Sequence, residues 1–300
     1  MKPVRFDYQR PKSIDEVSSL LASDDNARVL AGGQSLIPML SMRLSRPSLL
    51  IDIAHIPELS SLTETASHVE IGAMVRQARA KADPLVATHL PLLAKALEHV
   101  GHPPTRARGT VGGSIAHADP SAEIALVAVT LGAMITYQDA GDDVEFDAGM
   151  FFIGPMLTIA PPTGVLVHVA FPKAPQIVGT GFHEVAPRKS DYALASAAAQ
   201  INAAPDGTIT DIFLGVGSVG DFPERLDVDG LMGAAATPAD LDDAAIADAV
   251  TTAMGAVETV EDLHATSAYR KRAATELAIR ALRDARDEVS ATIVGKGPGQ

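Results

Sequence analysis

No cysteine occurs anywhere in the 300 residues, so the chain forms no disulfide, ligates no iron–sulfur cluster through thiolate and presents no thiolate nucleophile. Any electrons it handles must be carried by another group. Basic residues are also few: 24 Lys and Arg stand against 37 Asp and Glu, a formal net charge of −13. That balance argues against a general nucleic-acid or acidic-membrane surface, because both ligands are polyanions that need basic patches. No stretch approaches the roughly 18 continuous apolar residues of a membrane span. The opening Met1-Lys2-Pro3-Val4-Arg5-Phe6-Asp7-Tyr8 has no apolar core of a secretion signal, and the expectation is a soluble cytoplasmic protein. What is present is apolar bulk: 47% hydrophobic residues and a mean hydropathy of +0.15, enough for a large core in one elaborate domain or two ordinary ones.

Ser13-Ile14-Asp15-Glu16 has the form of a capping box opening a helix through Leu21, and Arg28-Val29-Leu30 reads as a short buried strand. Leu36, Leu40 and Leu44 recur at helical spacing before Pro47, and Leu49 to Ile53 reads as a second strand. Helices are expected over Val75–Lys81, Leu90–Val100 and Ser121–Leu131, with strands at Met134–Tyr137, Val144–Phe146 and Val165–Phe171. The elements mix without regular βαβ alternation, so the expected class is α+β. Pro172-Lys173-Ala174-Pro175 is the candidate boundary. Beyond it come strands near Gly181–Val185, Ala193–Ile201 and Thr208–Val216, then an alanine-rich helical region from Pro238 to Ala291 in which Tyr269, Ala273, Leu277, Ala281, Ala285 and Val289 make one apolar stripe. The expected organisation is 1–175, itself divided near 55, then 176–291, with 292–300 as a disordered tail. There is no internal repeat.

Two small-residue runs carry the chemistry: Ala31-Gly32-Gly33-Gln34-Ser35-Leu36-Ile37-Pro38, directly after a strand, and Gly109-Thr110-Val111-Gly112-Gly113-Ser114. A diphosphate needs many donors in a small volume, and glycine lets main-chain N–H groups approach phosphate oxygens with no Cβ in the way. Either run alone also suits an ordinary turn; the pair suits one pyrophosphate. Neither contains a P-loop lysine, so nucleotide hydrolysis is not suggested. Gly215-Val216-Gly217-Ser218-Val219-Gly220 has dinucleotide-fingerprint spacing, yet Asp221-Phe222-Pro223-Glu224-Arg225 follows where a helix would have to begin, and the run reads as a decoy. His117 and Asp119 lack a third ligand at metal spacing and read as loop residues shaping the next helix start. Arg106 and Arg108 flank the second run, where either offsets phosphate charge or simply faces solvent. In the polar loop Arg188-Lys189-Ser190-Asp191-Tyr192, the tyrosine suits stacking against a flavin face.

With both runs in view, the chain resembles the FAD-binding medium subunit of the molybdenum hydroxylases, the group that includes carbon monoxide dehydrogenase and xanthine dehydrogenase. The resemblance covers nearly the full length. It is carried by Ala31 to Pro38 with Arg46-Pro47 and Asp52; by Thr110 to Ser114 with Ala118-Asp119-Pro120-Ser121-Ala122-Glu123; by Phe151-Phe152-Ile153-Gly154 with Thr158; and by Arg188 to Tyr192. It implies a two-part FAD domain followed by a C-terminal α+β domain like that of carbon monoxide dehydrogenase flavoprotein. It also implies partners: a molybdopterin subunit and a [2Fe–2S] subunit, in a dimer of heterotrimers. By resemblance, Ala31, Gly32, Gly33, Gln34, Ser35 and Leu36, with Thr110, Val111, Gly112, Gly113 and Ser114, hold the pyrophosphate and ribityl region; Glu123 is an acidic cofactor contact; and Leu166 and Tyr192 pack near the isoalloxazine. His183 stands where some members have a flavin-proximal lysine, and Thr163-Gly164 replaces an acidic residue often found before Leu166.

The expected function is noncovalent FAD binding as the electron outlet of such a complex, passing electrons from partner clusters to oxygen, a quinone, NAD or another carrier, with no catalytic side chain and no metal in this chain. Two rivals are a self-sufficient flavin oxidase of related fold and a non-catalytic scaffold whose runs are only turns.

Overall fold

The computed structural model describes residues 2–295. Its first unit is built from β1 (Asp7–Gln9), α1 (Ile14–Ser23), β2 (Arg28–Leu30), α2 (Leu36–Met42) and β3 (Leu49–Asp52). The three strands form a parallel sheet in the order β1-β3-β2. Ser13 caps α1 by accepting from the Glu16 N–H, while the Glu16 carboxylate takes the Lys12 N–H rather than that of Ser13, so the box is displaced by one residue. Parallel pairing places the ends of β2 and β3 on one edge, and the chain leaves β2 there through the first glycine run.

The second unit contains β4 (Leu62–Glu64), β5 (His68–Gly72), α3 (Gln77–Ala82), α4 (Pro84–His89), α5 (Pro91–His99), α6 (Pro103–Arg108), α7 (Val111–His117), α8 (Glu123–Leu131), β6 (Met134–Asp139), β7 (Asp142–Asp147), α9 (Ala148–Phe151), β8 (Phe152–Gly154), β9 (Leu157–Thr158) and β10 (Val165–Pro172). Five strands form an antiparallel sheet, β4-β5-β10-β6-β7, while β8 and β9 pair separately. In α8 every residue from Ile124 to Leu131 is buried. A helix apolar on all sides must be covered on all sides, and α8 packs against α5 and α7 as well as strands of the C-terminal unit. Its first residue, Glu123, is left facing the cleft described below.

The third unit is an antiparallel meander of β11 (Ile177–Val185), β12 (Ala195–Ala203), β13 (Ile209–Gly217) and β14 (Glu224–Arg225), followed by α10 (Gly230–Ala234), α11 (Asp243–Gly255) and α12 (Ser267–Gly295). β12 is buried along its whole length because α12 covers it on one side and α5 and α8 approach on the other, which its alanines permit. The close approach of α12 to β11 requires glycine: a Cβ on Gly181 would lie 2.1 Å from the Ala281 carbonyl oxygen. The same reasoning disposes of the fingerprint-like Gly215 to Gly220. β13 runs through Gly217, no helix follows, and a Cβ on Gly215 would meet Thr130 Oγ1 of α8 at 2.1 Å.

Two expectations about α12 are corrected. A strict spacing of four drifts around a helix of 3.6 residues per turn, so the buried face runs through Arg270, Ala274, Leu277, Ala278, Ala281, Leu282, Ala285 and Val289, and Tyr269 is exposed. The tail expected from 292 is helical through Gly295, with Ile293 packed against the C-terminal core. Residues 296–300 of that expected tail lie outside the described residues. Among the described residues no helix is long and apolar enough to cross a membrane.

Candidate functional site

The principal cleft has a volume of about 660 Å³ and takes its lining from all three units. At its centre the two glycine runs cross. A Cβ on Gly32 would lie 2.4 Å from the Arg108 carbonyl oxygen and 2.9 Å from Gly109 Cα, while one on Gly113 would face Ala31 Cβ at 3.7 Å. Such backbone-to-backbone approach explains glycine at 32. At 33 the reason is conformational, because φ is +73°, a left-handed value that side chains with a Cβ adopt at a cost.

The first run behaves as its composition predicts. Among the described residues, none of the main-chain N–H groups of Ala31, Gly32, Gly33, Gln34, Ser35 or Leu36 donates to a protein acceptor. They are only partly covered, and α2 begins at their end, so donors and the positive end of a short helix face one place. The chemistry suited to this arrangement is a diphosphate.

The second run is different and corrects the expectation of a matching set of free donors. Val111 to Ser114 is the opening of α7, capped by Thr110, whose Oγ1 accepts from Gly113 N–H at 3.0 Å. Val111 N–H donates to Val75 O at 3.0 Å, Gly112 N–H to Ala73 O at 3.1 Å and Ser114 N–H to Thr110 O at 3.2 Å. These donors are committed within the fold. Glycine here serves close packing, since a Cβ on Gly112 would sit 2.5 Å from Ala73 Cα. Val111 is fully buried and does not line the cleft, whereas Thr110, Gly112, Gly113 and Ser114 do.

The cleft is also lined by Tyr137, Leu166, Asp119 and Glu123, and by Asp191 and Tyr192 of the polar loop. Burial, reinforced by the neighbouring Glu184 and Asp119, raises the Glu123 carboxyl from its ordinary 4.5 to about 7. Leu166 is buried and Tyr192 is 72% exposed, so an aromatic side chain lies at the rim and an aliphatic side chain in the wall. His183 is elsewhere, a correction of its expected place near the cofactor: its Nε2 pairs with Asp284 Oδ2 of α12 at 2.8 Å, outside the cleft. Its neighbour Glu184 faces the other way, where Oε1 lies 3.2 Å from His99 Nδ1 and raises that imidazole's pKa.

Arg106 is buried, with Nη1 donating to the carbonyls of Val100 and Gly101, and Arg108 does not line the cleft; the cation in the lining is Arg28, which sequence reasoning passed over. His117 lines the cleft, and Asp119 Oδ1 accepts from Ser121 N–H and Oγ, holding the turn before α8. Among the described residues no group of three metal-capable side chains exists. Gln77 and Tyr137 were also missed. Nothing in their local sequence marks them, because their place depends on contacts with the distant segments at Gly109 and Gly164.

A phosphate-bridged dinucleotide with a large planar ring fits this lining, which combines free amides at a glycine crossing with apolar and aromatic side chains. Comparison with known proteins agrees. Residues 4–174 match the family described as FAD binding domain in molybdopterin dehydrogenase, and residues 181–285 match CO dehydrogenase flavoprotein C-terminal domain. The nicotine 6-hydroxylase medium subunit of Paenarthrobacter nicotinovorans is 35% identical over 95% of this chain and 99% of its own length. The carbon monoxide dehydrogenase medium chain of Hydrogenophaga pseudoflava is 32% identical over 94% of this chain and 97% of its own. Among solved structures, a chain of quinoline 2-oxidoreductase from Pseudomonas putida 86 superposes with a TM-score of 0.89 at 34% identity, covering 96% of this chain and 99% of that one. With family matches in sequence along both halves and the same fold throughout, this chain belongs to the FAD-binding medium subunits of the molybdenum hydroxylases, an oxidoreductase component whose cofactor is FAD.

Proposed function

We propose that this chain is the electron outlet of a heteromeric molybdenum hydroxylase, taking electrons from [2Fe–2S] clusters in a small subunit and passing them from its FAD to an external acceptor, while a molybdopterin-binding large subunit oxidises the substrate. When bound, FAD supplies the redox chemistry, and the protein supplies binding, orientation and electrostatics. The observation that carries the reading is the run of six consecutive unpartnered amides from Ala31 to Leu36, set against Gly113 where the two runs cross. In this reading those amides hold the diphosphate, with Thr110, Gly112, Gly113 and Ser114 closing the opposite wall. Leu166 and Tyr192 flank the isoalloxazine, and Glu123 contacts the same end.

Partners are supported by two features. The chain has no cysteine to hold a cluster of its own. The segment from α9 through β9 exposes Met150, Ile153, Met156 and Leu157, and Met156 also lines the cleft, so an apolar surface adjoins the cofactor site. A dimer of heterotrimers is the proposed assembly.

The test is co-expression with the genes that neighbour this one, followed by purification and assay of flavin, iron and pterin. The expected result is a complex containing all three, in which substrate bleaches the flavin only when the iron–sulfur subunit is present. A chain that purifies without flavin, or that is reduced directly by organic substrate when alone, would refute the proposal.

A further inference from the structure

Tyr192 stands in the segment 186–194 that joins β11 to β12, and the hydrogen bonds inside it are local: Asp191 N–H donates to Arg188 O and Arg188 Nε to Asp191 Oδ2, each at 3.1 Å. Its attachment to the fold lies at its base. Leu194 N–H donates to Val185 O at 2.7 Å, and Leu194 O accepts from Arg270 Nη1, also at 2.7 Å. Arg270, in the first turn of α12, is only 5% exposed. The same Nη1 donates to Ser218 O at 2.6 Å, and Nη2 pairs with Asp262 Oδ2 at 2.6 Å. That carboxylate is itself fixed, because its Oδ1 accepts the N–H groups of His264 and Ala265 at 2.9 Å, so the guanidinium is gripped from both sides. Ser218 N–H in turn donates to Pro120 O at 2.9 Å, in the turn that Asp119 holds before α8 and Glu123. One guanidinium thus joins the root of the Tyr192 segment and, through a single residue, the turn that leads to Glu123.

This junction is kept at a cost. Arg270 Nε and Ser218 Oγ are buried with no hydrogen-bond partner among the described residues, and Ser218 holds φ +64°, a left-handed value uncommon for a residue with a Cβ. A buried charge and orphaned polar atoms stabilise a fold less well than apolar packing of the same volume, and backbone strain of this kind collects where geometry serves a site. What this geometry reaches is the cleft, since Asp119, Glu123, Asp191 and Tyr192 all line it. We infer that Arg270 is a positioning residue for the cofactor site, holding the Tyr192 segment in fixed relation to the turn before α8 so that the tyrosine covers the flavin. The inference rests on the reading that Tyr192 flanks the isoalloxazine. Arg270 itself touches no part of the cofactor and acts through the two main-chain carbonyls it holds.

The experiment uses the full chain loaded with FAD and reads iodide quenching of the flavin, FAD affinity and melting. Arg270→Met keeps the aliphatic stem and removes every donor. The expected result is earlier melting, quenching raised as in Tyr192→Ala, and FAD weakened by no more than about tenfold, because the amides of Ala31 to Leu36 are untouched. Combined with Tyr192→Ala it should raise quenching no further, which separates action through the tyrosine from general loosening. Val289→Ala, at the other end of α12 where Val289 is fully buried, should lower melting and leave quenching unchanged. If the methionine variant does not fold, Arg270→Lys, which keeps the charge and loses the fork, should show the same rise in quenching. Unchanged quenching in the Arg270 variant that folds, an undiminished further rise in the Tyr192→Ala background, or an equal rise in Val289→Ala would overturn the inference and leave the FAD reading intact. Tyr192→Ala that itself leaves quenching unchanged would overturn the placement of the tyrosine, and the inference with it.

Discussion

Gly32→Ala tests the crossing of the two glycine runs most directly. The added methyl would be placed 2.4 Å from the Arg108 carbonyl oxygen, whereas ordinary contact begins at 3.4 Å. One backbone must therefore retreat by about 1 Å, and no rotamer change can absorb it because both partners are main chain. Overpacking of this kind costs about 1–3 kcal/mol of stability. A shift of that size also carries a donor at 2.9 Å from a phosphate oxygen out to where it no longer bonds. With a charge-assisted bond worth about 1.5–3 kcal/mol, loss of one predicts FAD bound roughly ten- to hundredfold more weakly.

A matched control separates the two consequences. Gly132 ends α8 with φ +66° and has no atom within 4 Å of where its Cβ would stand, so Gly132→Ala brings conformational strain of about 1–2 kcal/mol without a clash and away from the cleft. Both variants should melt earlier than wild type, and only Gly32→Ala should lose affinity in a flavin-fluorescence titration of the apo chain. Wild-type affinity in Gly32→Ala would remove the crossing as the diphosphate site. Equal loss in Gly132→Ala would show that binding merely follows stability.

The raised Glu123 carboxyl contributes stability that is complete below its ordinary 4.5 and is lost as pH rises through about 7, an interval worth at most about 3 kcal/mol. Apo Glu123→Gln should accordingly melt above wild type at pH 8 and level with it near pH 4.5, and equal offsets at both pH values would refute the assignment. His99, raised chiefly by its hydrogen bond to Glu184, should titrate lower in Glu184→Gln by two-dimensional NMR, and the inter-unit contact it makes should weaken in wild type as pH rises past the elevated value; an unmoved titration would count against the pair. Tyr192→Ala removes a side chain that is 72% exposed, so melting should barely change and FAD should stay bound, while iodide quenching of the flavin should increase; unchanged quenching would place the ring elsewhere.

What the sequence disclosed and what it withheld divide by the range of the interactions. The first glycine run was legible because its character is local: a strand ends, small residues follow, a helix begins, and the freed amides have no competitor nearby. The second run does not offer the free donors its composition suggests, because the amides of Val111 and Gly112 are claimed by the carbonyls of Val75 and Ala73, far away in sequence. His183 failed on parity. Successive residues of a strand face opposite ways, so with Phe182 and Glu184 meeting His99, His183 must meet α12. Gln77 carries no local mark at all; an orphaned oxygen arises only when Gly109 is brought over it. The helical extension past Ala291 depends likewise on Ile293 finding the C-terminal core.

The architecture gives a reason for the length of this chain. Each unit covers a different part of the cleft: the small parallel sheet offers the free amides, the middle unit the opposing wall and Glu123, the C-terminal unit the loop bearing Tyr192. None encloses the site alone. The buried α8 ties the last two together, so the position of Glu123 is set by packing on both sides of that helix. The rim, by contrast, is built from exposed Tyr192 and Met156, beside the exposed Ile153 and Leu157. A packed wall inside and an apolar, exposed rim outside are consistent with the proposed role, in which the cofactor is held on one side and approached by another protein on the other.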